Sequence, residues 1–102
     1  VVFVVIDNGG GGLFDLLPQA EHAPWFERLF VAPHRVDLAR LGSAYGLSVS
    51  EVESEEGLRS SLPAALAVGG AHVIVVPVER ESDLKTRRAL DDTARVVCAG
   101  LS

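Results

Sequence analysis

The sequence predicts an α/β fold, a parallel sheet with helices on both faces. Residues 1–6 and 72–78 are almost uniformly apolar and rich in β-branched side chains. Such runs mark strands buried on both faces of a parallel sheet. A shorter run over 47–52 reads as a further strand, and segments with helical spacing lie between and after the runs. Alternation of buried strands with helices implies a parallel sheet.

Taken in order, the first strand runs into Asp7, Asn8 and the glycines Gly9 to Gly12. A helical turn over 13–17 is expected next, stopped at Pro18, whose ring and missing N–H oppose a helix interior. Residues 18–35 carry Pro18, Pro24 and Pro33 and read as an irregular excursion. Within it Trp25, Phe26, Leu29 and Phe30 have helical spacing, predicting a short helix over 24–30 with Pro24 at its first position. Asp37 reads as the N-cap of a helix to Tyr45, with Leu38, Leu41 and Tyr45 on one face and Gly46 ending it. Ser54 caps the next helix, and Glu55 and Glu56 sit favourably at its positive N-terminal end. Pro63 leaves two readings there, a kinked helix or a second helix from Pro63 to Gly69-Gly70. A final helix is expected from Ser82 or Asp83 to about Ala99, with Leu90, Ala94 and Val97 as its apolar stripe.

Composition bounds the function. With 102 residues, 48% hydrophobic and 23% charged, the chain is one domain at most and has enough apolar mass for a core. A formal net charge of -5 argues against a nucleic-acid partner, which calls for a basic face. No apolar run reaches the roughly 20 residues of a membrane span. The single cysteine, Cys98, excludes an internal disulfide and fits a reducing, cytoplasmic setting. The chain has no methionine and its first residue already lies in a core strand. The expectation is therefore a piece of a larger protein, with part of any site upstream.

The chemistry concentrates after the first strand. In open α/β sheets ligands bind outside the carboxyl ends of the strands. Glycines there let the backbone approach a phosphate closely, and Asn8 offers an oxygen that suits a hard cation. No Gly-Lys-Ser/Thr follows, so this is not a P-loop, and the Rossmann glycine pattern fails at Phe14 or Asp15. A tight turn alone needs one or two glycines. The run of four beside Asp7-Asn8 points instead to a phosphorylated, metal-bound ligand.

The strand followed by Asp7-Asn8-Gly9-Gly10-Gly11-Gly12-Leu13-Phe14, then Leu16-Leu17-Pro18-Gln19, resembles the second half of the cofactor motif of thiamine-diphosphate enzymes. Together with Phe26-Glu27-Arg28-Leu29-Phe30-Val31-Ala32-Pro33-His34 and Val36-Asp37, it is most similar to the menaquinone-pathway 2-succinyl-5-enolpyruvyl-6-hydroxy-3-cyclohexene-1-carboxylate synthases. Val31-Ala32 departs from the usual Gly-Thr of that family, and Gly12-Leu13 varies the residues before Phe14. The resemblance covers the whole chain, with its specificity in residues 5–37. It implies that residues 1–102 are the C-terminal part of a thiamine-diphosphate-binding (pyrophosphate-type) domain.

The resemblance further implies thiamine diphosphate anchored by Mg²⁺ or Mn²⁺. Asn8 would be the side-chain metal ligand and the Gly10 carbonyl a second ligand. The family's Asp ligand lies upstream, and Asp7, one residue early, is read as a neighbour that shapes the turn. Gly9, Gly11, Leu13 and Phe14 would join Asn8 and Gly10 in holding the cofactor, with Phe14 and Leu17 lining the substrate; Leu16 is read as core. The implied activity of the whole enzyme is decarboxylation of 2-oxoglutarate and addition of the succinyl unit to isochorismate. The implied assembly is a dimer or tetramer, because a Glu from a second subunit activates the cofactor in this superfamily. No catalytic residue falls within this chain, and the isolated chain is expected to be inactive.

Two other readings stay open. One is another thiamine-diphosphate enzyme, a 2-oxoacid decarboxylase or acetolactate-synthase-like protein. The other is a non-catalytic α/β module whose glycine loop binds an anion. Among remaining residues, His22, His34 and His72 lack the spacing of a helical zinc site. His34, in the Pro-His element, is within reach of the rim of the site but is not assigned to it, and His72 reads as a surface position at a strand start. Cys98 reads as an inert helix position. Arg80, Lys85, Arg87 and Arg88, mixed with Glu79, Glu81 and Asp83, read as a solvated face.

Overall fold

A computed structural model describes residues 1–101; Ser102, the last residue of the expected domain, lies outside the described residues. The strands are β1 (Val2–Asp7), β2 (Ser48–Glu51) and β3 (His72–Pro77), and the α-helices are α1 (Trp25–Leu29), α2 (Leu38–Ala44), α3 (Glu55–Val68) and α4 (Arg80–Gly100). Short 3-10 helices at Gly12–Phe14 and Pro18–Glu21 follow β1. The sheet order is β1-β3-β2, and both pairings are parallel. The expected α/β architecture therefore forms.

Side chains alternate across a strand, so the register assigns the faces. Ile74 pairs with Val4 and Ser50, and Val73 pairs with Phe3 and Val49. On the Ile74 face, α3 packs: Ile74 joins Ala65 and Val52 in the core, with Leu58, Leu62, Val2 and Val76 against them. On the Val73 face sits α2, close enough that a Cβ on Gly42 would stand 2.8 Å from Val49 Cγ2. Helices thus cover both faces of β3.

The helix ends follow the local chemistry. Asp37 Oδ1 accepts the Arg40 N–H at 2.8 Å, and Ser54 Oγ accepts the Gly57 N–H at 3.0 Å, each satisfying an amide that has no intrahelical partner. Gly46 and Gly69 leave their helices at φ +74° and +76°, backbone that glycine adopts without a Cβ penalty. Pro63 lies inside one continuous α3, so the two-helix reading falls. Pro18 opens the second 3-10 helix besides ending the first turn, its fixed φ and missing N–H suiting a helix start. α4 begins at Arg80, ahead of the expected Ser82 or Asp83, because Glu79 takes the N-cap position.

Burial is where expectation fails. β1 was to be buried on both faces, yet it is an edge strand with Phe3 54% and Ile6 60% exposed. β3, in the centre, has the covered faces that the β1 pattern implied, with Ile74 wholly buried. The stripe Leu90, Ala94 and Val97 on α4 is likewise exposed, and Tyr45 does not join a buried face of α2. Leu16, expected in the core, is half exposed. The radius of gyration is 17.4 Å, against about 13 Å for a compact domain of this size. The chain is flat, 19 Å in its thin dimension, and leaves apolar surface that its own residues do not cover.

Candidate functional site at the carboxyl edge of the sheet

Because all three strands run parallel, their carboxyl ends share one edge. Asp7 pairs with Pro77 there, and the Val78 N–H donates to the Asp7 carbonyl at 2.8 Å. This joins the start of the glycine loop to the segment leading into α4.

The loop itself is built by two successive side-chain turns. Asp7 Oδ1 accepts the Gly9 N–H at 2.9 Å, and Asn8 Oδ1 accepts the Gly10 N–H at 3.0 Å. Asp and Asn favour such turns because their short side chains reach the backbone two residues on. Asp7 thus shapes the turn, as expected. Gly9, Gly10 and Gly11 then follow at φ +75°, +80° and +81°. Three consecutive residues in this region require glycine.

The Val31–His34 segment closes over the loop. The His34 N–H donates to the Gly9 carbonyl at 2.9 Å. His34 Nε2 lies 3.2 Å from Asp7 Oδ1, and His34 Nδ1 accepts the Val36 N–H at 3.3 Å. A Cβ on Gly10 would lie 2.8 Å from His34 Cδ2, and one on Gly11 would lie 2.7 Å from the Ala32 amide nitrogen and from Val31 Cγ1. Gly11→Ala is therefore expected to combine left-handed strain of about 1–2 kcal/mol with a backbone clash. A fall of at least about 2 kcal/mol in unfolding free energy by urea denaturation checks this, and an unchanged midpoint would contradict the close approach.

A second cluster braces the loop from the other side. Asp15 is 5% exposed and receives Arg80 bidentately, Nε to Oδ2 at 2.6 Å and Nη2 to Oδ1 at 2.5 Å. Arg80 also donates to both Glu27 oxygens, at 3.0 and 3.2 Å. The hydrogen bonds from Arg80 hold the Asp15 carboxyl below its ordinary range, against burial that would push it up. Donation to Asp15 and then to Glu27 raises the guanidinium in turn, so both groups are charged at neutral pH. This cluster corrects the solvated-face reading of Arg80. Asp15 and Arg80 stand 65 residues apart in the chain, and no local pattern could have paired them.

Asn8 and Asp15 both face Gly12, where a Cβ would meet Asn8 Nδ2 at 2.9 Å and Asp15 Oδ2 at 3.2 Å. A cleft of about 400 Å³ opens there, lined by Asn8, Gly11, Gly12 and Leu13 on one side and Arg80 and Leu84 on the other. That is within the range of small-ligand sites. Leu13 is 80% exposed beside it. Phe14 and Leu17 do not line this cleft. Phe14 stands edge-on to Phe30, with ring centroids 6.0 Å apart, and Leu17 borders a neighbouring cleft with Pro18 and Arg88.

The donor set suits a hard cation held partly by other groups. Among the described residues no group of three or more His, Cys, Asp or Glu could hold a metal by itself. The loop offers a carboxamide oxygen and glycine carbonyls instead, the oxygen ligands that Mg²⁺ takes alongside phosphate and water. The crowding-free space over Gly9, where a Cβ would meet nothing within 4 Å, leaves room for a group to approach the backbone. His72 sits within the sheet, its Nε2 2.9 Å from Ser50 Oγ, and Cys98 lies exposed on α4.

No protein-family model matches the chain. Curated relatives do. A 2-succinyl-5-enolpyruvyl-6-hydroxy-3-cyclohexene-1-carboxylate synthase of Rubrobacter xylanophilus is 37% identical over 89 residues, 87% of this chain and 16% of the relative. The synthase of the same name from Roseiflexus castenholzii is 34% identical over 96 residues, 94% of this chain and 17% of the relative. That of Myxococcus xanthus is 38% identical over 89 residues, 85% of this chain and 15% of the relative. The chain spans about a sixth of the length of these relatives and matches their C-terminal part.

Proposed function

We propose that this chain, homologous to the C-terminal part of the 2-succinyl-5-enolpyruvyl-6-hydroxy-3-cyclohexene-1-carboxylate synthases, carries the metal-and-diphosphate corner of a thiamine-diphosphate site. The enzyme it serves decarboxylates 2-oxoglutarate and transfers the succinyl unit to isochorismate in menaquinone biosynthesis. The observation that carries this reading is the loop at the carboxyl end of β1, where Asn8 stands before three left-handed glycines. The loop lies within residues 5–37, where the specificity of the resemblance lies.

In this reading the Asn8 side-chain oxygen and the Gly10 carbonyl hold Mg²⁺ or Mn²⁺, and Gly9 and Gly11 let the backbone lie close to the diphosphate. Gly9 to Gly11 have no side chains to obstruct that approach. Leu13 and Phe14 give the cofactor an apolar wall, and Phe14 and Leu17 border the substrate. The exposure of Leu13 directly after the loop supports a role for it in covering a ligand. Thiamine diphosphate, when bound, supplies the carbanion chemistry, and the protein supplies binding, orientation and electrostatics. Asp15 and Arg80 brace the loop from the α4 side of the cleft.

The apolar surface left on β1 and α4 supports a larger protein and a homo-oligomer, dimer or tetramer, in which other residues cover these faces. No helix among the described residues is long and apolar enough to cross a membrane, in keeping with a cytoplasmic enzyme. The catalytic Glu, the Asp metal ligand and the substrate-binding arginines belong to the rest of that protein.

The test uses the full-length protein carrying these residues. Consumption of 2-oxoglutarate that requires isochorismate, thiamine diphosphate and Mg²⁺ together is the expected result. Consumption of pyruvate instead would move the substrate assignment to a decarboxylase or acetolactate-synthase-like enzyme. Absence of any cofactor-dependent turnover would leave the anion-binding module. Residues 1–102 alone are expected to show no turnover in the same assay.

A further inference from the structure

The glycine loop has a restraint that the metal and phosphate roles do not explain. Gly9 to Gly11 are the most conformationally free residues a loop can have, and each is held at positive φ. If the loop visited its folded shape only part of the time, the apparent affinity for a metal would fall by that fraction. Besides the Asp7 and Asn8 turns and the Val31–Ala32 backbone over Gly11, contacts to Gly9, Gly10 and Asp7 converge on one residue more than twenty positions away.

We infer that His34 is a positioning residue for the metal loop, keeping Asn8 and Gly10 in their folded arrangement before any ligand arrives. The inference rests on the proposed thiamine-diphosphate reading and adds to it a residue that touches neither metal nor cofactor. Three contacts carry it. The His34 amide donates to the Gly9 carbonyl at 2.9 Å, pinning the first glycine. Its ring packs against Gly10 closely enough to exclude a Cβ there. Its Nε2 lies 3.2 Å from Asp7 Oδ1, the atom that also accepts the Gly9 N–H.

The imidazole is oriented for this task. Nδ1 accepts the Val36 N–H, which leaves Nε2 as the protonated ring nitrogen, facing Asp7 Oδ1 at 3.2 Å. A neutral ring suffices, and no change of charge is invoked. Asp7 Oδ1 thus meets both the His34 ring and the Gly9 N–H, and Asn8 follows it directly in the chain. Groups bonded directly to metal ligands are typically worth about 10–100-fold in metal affinity, and His34, one contact further out, is assigned the low end.

The experiment is equilibrium dialysis of thiamine diphosphate against the full-length protein over a Mg²⁺ series. His34→Leu keeps bulk and loses the donor; His34→Gln restores an N–H that can reach Asp7. His34→Leu is expected to need about ten-fold more Mg²⁺ for half-maximal binding, with binding recovered at saturating Mg²⁺. His34→Gln is expected to return most of the loss. Asp7→Ala, which also loses the Gly9 N–H bond, should shift the Mg²⁺ requirement at least as far, and the double variant His34→Leu/Asp7→Ala should fall short of the product of the two single shifts. The His34→Gln and Asp7→Ala arms remain informative if His34→Leu is poorly folded. A His34→Leu titration that overlays wild type overturns the inference, as does equal impairment of His34→Leu and His34→Gln at every Mg²⁺ concentration. Wild-type protein that binds no thiamine diphosphate overturns the functional reading itself, a result separate from any comparison of variants.

Discussion

Asn8→Ala in the full-length protein is expected to abolish Mg²⁺-dependent thiamine-diphosphate binding and, with it, consumption of 2-oxoglutarate. Asn8 is the only side chain of the loop proposed to touch the metal, so its loss should exceed the roughly 10–100-fold effect of removing an outer hydrogen-bonding partner. The structural cost is much smaller. Asn8 Oδ1 accepts one hydrogen bond, from the Gly10 N–H, worth about 1 kcal/mol. A hundred-fold loss of binding corresponds to about 2.7 kcal/mol, so a folding defect of that size cannot mimic the ligand effect. Asn8→Asp separates the two further, because it keeps an oxygen at the same position and can still accept from Gly10. Retained binding in Asn8→Asp with lost binding in Asn8→Ala, read by calorimetry and by thermal unfolding, is the expected pattern. Normal metal-dependent binding by Asn8→Ala would remove Asn8 from the metal site.

Arg80→Ala should be the most destabilising substitution outside the hydrophobic core. It leaves Asp15, 5% exposed, as a buried carboxylate without its bidentate partner. Orphaning a buried charge costs about 3–5 kcal/mol, and the low end applies here because Arg80 itself is partly solvated. The bridge to Glu27 adds little, since that carboxylate is exposed. The same pair predicts an acid dependence of definite sign. The Asp15 carboxyl is held below its ordinary value of 3.8 in the folded state. Its stabilising contribution is therefore complete above about pH 4 and is lost as pH falls through the lower folded value. Wild type should be more stable than Asp15→Asn at neutral pH, and the gap should close below about pH 4. Urea denaturation at pH 7 and pH 3 checks both statements. An unchanged gap across that range would mean the carboxylate charge does not stabilise the fold. Loss of the pair should also loosen the loop, since Asp15 and Asn8 face the same glycine.

The parts of this molecule that a sequence reveals are those set within a few residues. The apolar runs over 1–6, 47–52 and 72–78 gave strands because β-branched side chains in short runs fit the pleated surface of a sheet. Asp37, Ser54, Gly46 and Gly69 marked helix ends through contacts that span four residues or fewer. The glycine loop was legible for the same reason: its turns are made by Asp7 and Asn8 reaching two residues ahead. Pro63 left two readings because its penalty is local and the packing of Ala65 on Ile74, which keeps α3 whole, is not.

Burial and long-range pairing were decided elsewhere. Val1 to Ile6 and His72 to Val78 carry equivalent patterns, yet β3 became the covered centre and β1 the exposed edge. Hydrophobicity states that a strand wants cover, and only the strand order supplies it. Likewise nothing near Asp15 names Arg80, and nothing near Gly10 names His34. Sequence by itself determined the α/β class, the caps of α2 and α3 and the position and turn geometry of the loop, because these follow from backbone preferences and short-range hydrogen bonds. Tertiary structure alone decided which strand lies inside, what braces the loop and which histidine closes over it, because those contacts join residues that meet only after the chain has folded.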